Sequence, residues 1–298
     1  MSTAAPPADF LAVALERFRT EVERAGVGLT VQTHPASTLF RQGTEVPALQ
    51  RGTLEMSTMT TFEVAQQLPA YGFFDRAFLL RDYPHLRAVF EGPVGDRYRE
   101  EVRARMGIRI LSVAYLGTRE LALRHRQAVA VPSDLGGIKL RMPSGPEWLL
   151  LGRALGASPV PLGMPEVYLG LKTGTIDAQE NPLSIFNAAK LYEVSEQVVL
   201  TAHLVQPVFI DIAEPFYQRL DAHQRQVVEA AARTAAEAND RARLADESSV
   251  LGKLKSAGLT ITTVDPGPFR SLAHKVYAEA EAARAWDATL QQRVGQTP

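Results

Sequence analysis

The stretch GGIKLRMPSGPEWLLLGRALGASPVPLGMPEVYLGLKTGTIDAQENP, residues 136–182, alternates short strand-like runs with helical ones. The runs GIKLRMP, SPVPL and TIDAQE are short and bounded by glycine or proline, as buried strands often are. Residues 144–155 and 165–173 carry apolar side chains at helical spacing, and Gly174 stops the second helix. Because strands that alternate with helices place those helices on the faces of a sheet, this stretch predicts an α/β fold.

The alternation continues on both sides of this stretch. Upstream, the apolar pattern predicts helices at residues 8–25, 44–51, 82–91 and 94–106, and strands at 28–34, 54–58 and 108–116. The run RELALRH is predicted as a further strand, separated from 108–116 by a turn at Gly117-Thr118 where the chain crosses over. Downstream, EQVVLTAHL and QPVFIDIA are predicted as two strands.

The longest helical pattern in the chain runs from Asp221 to Ala257 and ends at Gly258. A helix of about 36 residues would be about 54 Å long at 1.5 Å per residue, which is longer than one small domain is wide. The polar run at residues 246–249 is where such a helix would break. Whole or broken, this segment could tie two lobes together, and no flexible linker divides the chain.

Length, charge and composition exclude several classes of protein. With 298 residues, 46% of them hydrophobic, the chain can bury the core of two domains or of one large α/β unit. A formal net charge of −1 offers no attraction for nucleic acid, and the absence of cysteine excludes disulfides and thiolate chemistry. No apolar run approaches the roughly 20 residues of a membrane-spanning helix, so we expect no direct membrane insertion.

Signatures of catalysis are missing from the sequence. It contains no G-x-S-x-G elbow, no Walker loop, no H-E-x-x-H and no G-x-G-x-x-G after a strand. The histidines show no spacing typical of metal ligands: His34, His85, His125, His203, His223 and His274. We therefore expect no cofactor and no metal. Residues distant in the sequence can still meet in the fold, so an enzyme stays open as an alternative.

Arg141 is the first candidate binding residue, because it lies at the end of the predicted strand GIKLRMP and just before a helix. The carboxyl ends of strands are where α/β sheets bind ligands, and a guanidinium fork fits a carboxylate with two charge-assisted hydrogen bonds. The alternative is an edge-strand arginine that reaches solvent or pairs with Glu147.

Asn181 and Arg119 are further candidates, each with a structural alternative. Asn181 precedes a proline and offers a donor and an acceptor to a ligand, but asparagine before proline also fits the start of a helix. Arg119 lies between two strand-like runs, where a plain surface arginine is the alternative. Four more side chains could line an apolar pocket or belong to the ordinary core: Trp148, Met164, Tyr168 and Phe209.

Taken together, residues 136–203 resemble the most characteristic segment of the periplasmic solute-binding subunits of TRAP transporters, the DctP-type family. The resemblance rests on a strand ending in Lys-x-Arg, then Ala-Leu-Gly-Ala, Glu-Val-Tyr, Gly-x-x-Asp-x-x-Glu-Asn-Pro and Tyr-Glu-Val, in this order. It extends upstream to HPASTLFRQGTEVPALQRGTLEMS and FLLRDYPHLRAVFEGPVG, and downstream to FYQRLDAHQRQVVEAAARTAAE.

The resemblance implies a two-lobed α/β clamp that closes on its ligand and is crossed by a long helix. We expect lobe I to comprise residues 1–117 and 207–245, and lobe II residues 118–206 and 246–298, with the helix at 221–257 spanning both. In the family a strand precedes the first long helix, whereas only MSTAAPP precedes residue 8 here. Either that strand is trimmed from this chain or the first lobe lacks an edge.

The resemblance also implies roles for individual residues. Arg141 corresponds to the arginine that binds the ligand carboxylate, and Asn181 and Arg119 correspond to further ligand contacts. Two arginines and an asparagine favour a carboxylate with a neighbouring oxygen, such as a 2-oxo, 2-hydroxy or sugar acid. The side chains expected around the rest of the ligand are compatible with either an aromatic or a sugar-like tail. They are Trp148, Met164, Tyr168, Phe209 and Thr61.

The function implied by the resemblance is capture of a small organic acid without chemistry. The protein would be a periplasmic monomer that hands its carboxylate ligand to the integral-membrane subunits of a TRAP transporter, with no nucleic acid as partner. The start MSTAAPPADF has neither the basic nor the apolar region of a signal peptide. The alternative is an α/β enzyme that holds a small carboxylic acid with an arginine.

Overall fold

The computed structural model describes residues 1–298, and its strands form one mixed, seven-stranded sheet. The strands are β1 (Met56–Met59), β2 (Ile108–Leu123), β3 (Lys139–Met142), β4 (Ser158–Pro161), β5 (Ala178–Pro182), β6 (Gln197–Ala213) and β7 (Thr260–Thr263). Their order is β1-β6-β2-β5-β3-β4, with β7 beside the first part of β6. The α/β fold predicted from the sequence is confirmed.

Helices cover the faces of this sheet. They are α1 (Phe10–Arg24), α2 (Glu45–Arg51), α3 (Thr61–Gln67), α4 (Tyr83–Glu91), α5 (Pro93–Met106), α6 (Pro146–Ala154), α7 (Val167–Thr173), α8 (Leu183–Ala188), α9 (Glu214–Arg219), α10 (Ala222–Glu247), α11 (Val250–Ser256), α12 (Pro266–Glu279) and α13 (Ala288–Gln296). Several begin where a side-chain oxygen accepts an otherwise unpaired backbone N–H, as Asp9 does for α1. The helices predicted at 8–25, 44–51, 82–91, 94–106, 144–155 and 165–173 are confirmed.

Two long antiparallel strands, β2 and β6, pair along most of their lengths and pass through the middle of the molecule. The sequence predicted each of them as two strands, and the predicted turn at Gly117-Thr118 is wrong. Gly117 lies at a register shift of the β2–β6 ladder, with φ +129°, and a Cβ there would lie 2.6 Å from Pro182. A β-bulge rather than a turn occupies this position, because pairing with β6 continues on both sides of it.

The long helical pattern is two helices, since α10 ends at Glu247 and α11 starts at Val250, at the predicted break. The molecule is a two-lobed clamp, and α10 contacts segments far apart in the chain. The buried Arg243 of α10 donates hydrogen bonds to Asp9 Oδ1 at 2.5 Å and to Ser184 Oγ at 2.6 Å. One guanidinium thus joins the start of α1 to the start of α8.

The predicted strand at residues 28–34 is wrong except at its last residue. Only His34 forms a β-bridge, and its partner is Ser2, which also bridges Ser57 of β1. Ser2 N–H donates to Met56 O, and Thr58 N–H donates to Ser2 O, both at 3.2 Å. The first residues of the chain therefore lie between His34 and β1. Residues 28–33 form no β-bridge, although the amino group of Met1 donates to Gln32 O at 2.6 Å, so they are not a strand.

Candidate ligand-binding cleft

A cavity of about 90 Å³ lies where the ends of β3 and β5, the centres of β2 and β6, and the segments around α2 and α3 converge. At about 10–15 Å³ per water, this volume holds several water molecules. The residues that line it include Thr3, Gln42, Glu45, Thr58, Thr60, Phe62, Glu63, Arg119, Arg141, Trp148, Met164, Asn181 and Gln206. Residues widely separated in the sequence therefore line one cavity.

Arg141 lines this cavity with only 1% of its surface exposed. Its Nε donates to Leu162 O at 2.7 Å, while its Nη2 is buried without a hydrogen-bond partner in the protein. Burial lowers the pKa of Arg141 to about 10, against the opposing effect of Glu180. No ion pair joins Arg141 to Glu147, so the predicted alternative of a local pair is wrong, and the guanidinium keeps a donor for a ligand.

Arg119 also lines the cavity, but its donors are engaged within the protein. Its Nε and Nη2 bind the two carboxylate oxygens of Glu180 at 2.5 and 2.7 Å, and its Nη1 donates to Gln206 at 2.7 Å. The guanidinium carbon lies 4.8 Å from the centre of the Trp148 ring. The side chain is 3% exposed, so the alternative of a surface arginine is wrong. This geometry suits Arg119 to orienting neighbours rather than to gripping a ligand alone.

Glu180 and His203 complete a buried network behind Arg119. Although burial opposes ionisation, Arg119 and His203 hold the pKa of Glu180 below its usual range. His203 Nε2 lies 3.1 Å from Glu180, its Nδ1 lies 2.7 Å from Thr201 Oγ1, and burial lowers its pKa. We did not single out Glu180, Gln206 or His203 from the sequence. Of these three residues, only Glu180 had a signal in the sequence, because it is the glutamate of the Glu-Asn-Pro motif.

Asn181 belongs to β5 and lines the cavity, whereas the residue before α8 is Pro182. The alternative of a helix-capping asparagine is therefore wrong. Its Oδ1 accepts from Arg119 at 3.1 Å, and its Nδ2 donates to Gln179 at 2.6 Å. Because β5 pairs with β2 so that Glu120 faces Asn181, the register of the sheet sets Asn181 next to Arg119.

Trp148 and Met164 line the cavity as well. Trp148 is 1% exposed and meets the ring of Phe62 edge to face at 6.2 Å. A Cβ at Gly145 would lie 2.3 Å from the same Phe62 ring, so the start of α6 can approach α3 closely only because residue 145 is glycine. These contacts hold Trp148 in place at the wall.

Three residues expected at the ligand do not line this cavity. Tyr168, on α7, bonds Glu193 through its hydroxyl at 2.9 Å and does not line the cavity. Phe209 packs in the core formed with α4 and α5, because strand alternation turns its neighbour Val208 toward the cavity instead. Thr61 donates to Asp75 Oδ1 at 2.6 Å, away from the cavity, whereas Thr58 and Thr60 line it.

Contacts across the mouth of the cavity join the segment before α2 to the loop after β4. Met164 N–H donates to Gln42 Oε1 at 3.0 Å, and the exposed pair Arg41–Glu166 lies at 3.6 Å. Met164 opens a short 3-10 turn whose preceding residue, Gly163, has no side chain to cap it. Gln42 supplies this cap from across the cleft. The same loop contains Leu162, whose carbonyl holds Arg141.

Two acidic residues, Glu45 and Glu63, also line the cavity and were not identified from the sequence. Burial, aided by the neighbouring Glu63, raises the pKa of Glu45 to about 7, and burial raises the pKa of Glu63. Glu63 accepts the N–H and the hydroxyl of Thr60 at 2.7 Å each, which fixes its carboxyl group at the start of α3. No group of three or more histidines or acids is placed to hold a metal ion.

The sequence of this chain is similar to known bacterial proteins. The family model for bacterial extracellular solute-binding protein, family 7 (DctP), matches residues 1–283. The chain is 32% identical over 272 residues to a solute-binding protein of Verminephrobacter eiseniae, covering 90% of this chain and 80% of that protein. None of the helices in the structure is both long enough and apolar enough to span a membrane.

Two solved structures of TRAP periplasmic solute-binding proteins, both from Roseobacter denitrificans, closely match the fold. One, with bound 3-deoxy-D-manno-oct-2-ulosonic acid, is 36% identical with a TM-score of 0.96, covering 100% of this chain and 98% of that one. The other, with bound L-galactonate, is 26% identical with a TM-score of 0.90, covering 99% of this chain and 96% of that one.

Proposed function

The chain belongs to family 7 of the bacterial extracellular solute-binding proteins, and from this premise we propose that it captures a small polyhydroxylated organic acid in its cleft. The observation that carries the proposal is Arg141, whose buried guanidinium lines the cavity and keeps Nη2 without a partner. A buried donor on a cation is costly unless it binds something, and a carboxylate satisfies both its charge and its geometry.

The polar side chains around the cavity favour a polyhydroxylated tail over an aromatic one. Hydroxyl, amide and carboxyl groups of Thr58, Thr60, Gln42, Glu45 and Glu63 line the wall around α2 and α3. Some of their hydrogen-bonding capacity is used within the protein, as in the bonds from Thr60 to Glu63 and from Met164 to Gln42. An aromatic tail could not bond the donors and acceptors that remain, whereas sugar hydroxyls can both donate and accept. The sugar acids bound by the two similar structures support this choice.

Binding would act through closure of the two lobes. A ligand that contacts both lobes favours the closed form. The size of this effect is the difference between the ligand's binding free energies for the closed and the open forms. The hydrogen bond from Met164 to Gln42 belongs to that closed arrangement, since it spans the cleft. We propose the lobe boundaries predicted from the sequence, residues 1–117 with 207–245 and 118–206 with 246–298, as the two moving units.

We also propose that the protein works outside the cytoplasm, as a monomer, and delivers its acid to the membrane subunits of a TRAP-type transporter. Its family consists of solute-binding proteins, and the solved relatives are periplasmic. We propose no catalytic role. His203 lies behind Arg119 with its ring nitrogens near Thr201 and Glu180, and no histidine lines the cavity.

The test is calorimetry of the purified protein with 3-deoxy-D-manno-oct-2-ulosonic acid, D-galactonate and the uncharged control galactitol. We expect at least one acid to bind while galactitol does not, and chromatography should recover the bound acid unchanged. Equal binding of galactitol would refute the role of the carboxylate. Turnover of the acid would instead support the enzyme alternative.

A further inference from the structure

The charged groups around the cavity are divided between two regions. The charged residues that influence the pKa of Arg141 are Glu180, Arg119 and Glu166. Of the residues that line the cavity, Arg119 and Arg141 are basic and Glu45 and Glu63 are acidic. Neither arginine pairs with these two acids, because the hydrogen bonds of Arg119 and Arg141 go to other residues, among them Glu180 and the Leu162 carbonyl. One part of the cavity is therefore cationic and the part around α2 and α3 is acidic, with no arginine or lysine to neutralise it.

Both acidic side chains are held in place at this wall. Glu45 is 4% exposed, and its Oε2 accepts the Gly43 N–H at 2.8 Å. Glu63 is 9% exposed and accepts both of its bonds from Thr60 through Oε2. Because each carboxyl group is anchored by one oxygen, neither can swing away when a ligand arrives.

Arg141, whose buried Nη2 has no hydrogen-bond partner in the protein, lines the same cavity as Glu45 and Glu63, so a ligand held by Arg141 would share that cavity with both acids. A ligand whose carboxylate lies on Arg141 and whose chain spans the cavity would bring its other end to Glu45 and Glu63, on the wall around α2 and α3. A hydroxyl there can donate a hydrogen bond to either carboxyl group. Above about pH 7, where Glu45 is ionised, a second carboxylate there would be buried beside like charge, which costs free energy and works against binding.

We infer that Glu45 and Glu63 are specificity-determining residues that select monocarboxylates ending in a hydroxyl and reject dicarboxylates of the same length. This inference rests on the proposed function. Arg141 by itself cannot distinguish monocarboxylates from dicarboxylates, because it binds one carboxylate group of either kind of acid. The acidic pair acts on the far end of the ligand and excludes the second charge.

The experiment compares two matched pairs by calorimetry at a pH above 7, where Glu45 is ionised: D-galactonate with galactarate, and D-erythronate with meso-tartrate. Within each pair the molecules differ only in a terminal CH2OH or carboxylate. In each pair whose monoacid binds, we expect the diacid to bind at least tenfold more weakly than that monoacid. The double variant Glu45→Gln/Glu63→Gln should narrow that ratio several-fold, because glutamine keeps the acceptor oxygen and the cap of α3 without the charge.

Glu147→Gln is the matched control, since Glu147 is a buried acid that does not line the cavity, and it should leave the ratio unchanged. A diacid that binds the wild type as tightly as its monoacid would overturn the inference and leave the proposed function standing. The same holds for a ratio that the double variant does not change. Binding of neither monoacid nor diacid in any pair would count against the proposed ligand class, and the inference would fall with it.

Discussion

Replacing Arg141 by lysine tests the assignment of the ligand anchor. In the structure Arg141 lines the cavity, its Nε donates to Leu162 O at 2.7 Å, and its Nη2 is buried without a hydrogen-bond partner. Lysine keeps the positive charge but has a single ammonium group, which cannot hold the carbonyl and grip a carboxylate with two parallel N–H groups. We therefore expect Arg141→Lys to fold and to bind acids more weakly.

The expected loss follows from the bonds involved. A hydrogen bond to a charged group contributes about 1.5–3 kcal/mol, and a buried ligand oxygen left unsatisfied costs about 1–3 kcal/mol more. Because the ammonium recovers part of this, we expect a net loss of about 2–4 kcal/mol. At 1.4 kcal/mol per factor of ten, that is roughly a 30- to 700-fold rise in Kd.

Calorimetry with 3-deoxy-D-manno-oct-2-ulosonic acid measures the change directly, and the methyl ester of the same acid is the internal control. The ester lacks the carboxylate charge, so Arg141→Lys should change its weak binding little. The melting temperature of the ligand-free variant should stay near that of the wild type, because an open cleft exposes this side chain to water. A loss of folding in the variant would show that Arg141 mainly supports the structure.

Arg119→Lys is the matched comparison. Its guanidinium is committed to Glu180 and Gln206, so lysine at this position should lower stability more than affinity. If Arg141→Lys bound the acid as tightly as the wild type while Arg119→Lys did not, the anchor would be Arg119. Unchanged affinity in both variants would refute the reasoning for either arginine.

Three further predictions follow from the cleft. Gln42→Leu removes the acceptor for the Met164 N–H and should raise Kd about 3- to 10-fold, from about 1 kcal/mol for one hydrogen bond, mainly through faster dissociation; Gln50→Leu is the control. Burial raises the pKa of Glu45 to about 7, so the folded protein binds the carboxyl proton of Glu45 more tightly than the unfolded chain does. The contribution of this group to the free energy of unfolding is fully present below about pH 4.5 and is lost as the pH rises through 7. Melting temperatures should therefore fall less between about pH 5 and pH 8 in Glu45→Gln than in the wild type or in the exposed control Glu237→Gln, and equal slopes would contradict the shift. A saturating acid should shrink the radius of gyration in small-angle scattering, and identical curves would argue against closure unless the free protein is already closed.

Local sequence patterns were sufficient for much of the fold. Apolar spacing and terminal glycines located most helices, including the break after Glu247, because a helix forms from contacts within a few residues. The strand carrying Arg141 was also predicted correctly, since its apolar run and flanking glycines and proline are local signals. The same stretch led to the arginine that lines the cavity.

Only the tertiary structure decided which strands are continuous and which acids face the ligand. β2 and β6 each appeared as two strands, because continuity across Gly117 depends on pairing with a neighbour that is distant in the sequence. Residues 28–33 have strand-like composition but form no β-bridge with another segment, and a strand is defined by such a ladder. Nothing in the sequence pointed to Glu45 or Glu63, which line the cavity with Arg141 only because the fold brings their segments together. Burial and long-range pairing arise from residues that are far apart along the chain, so they depend on how the whole molecule packs.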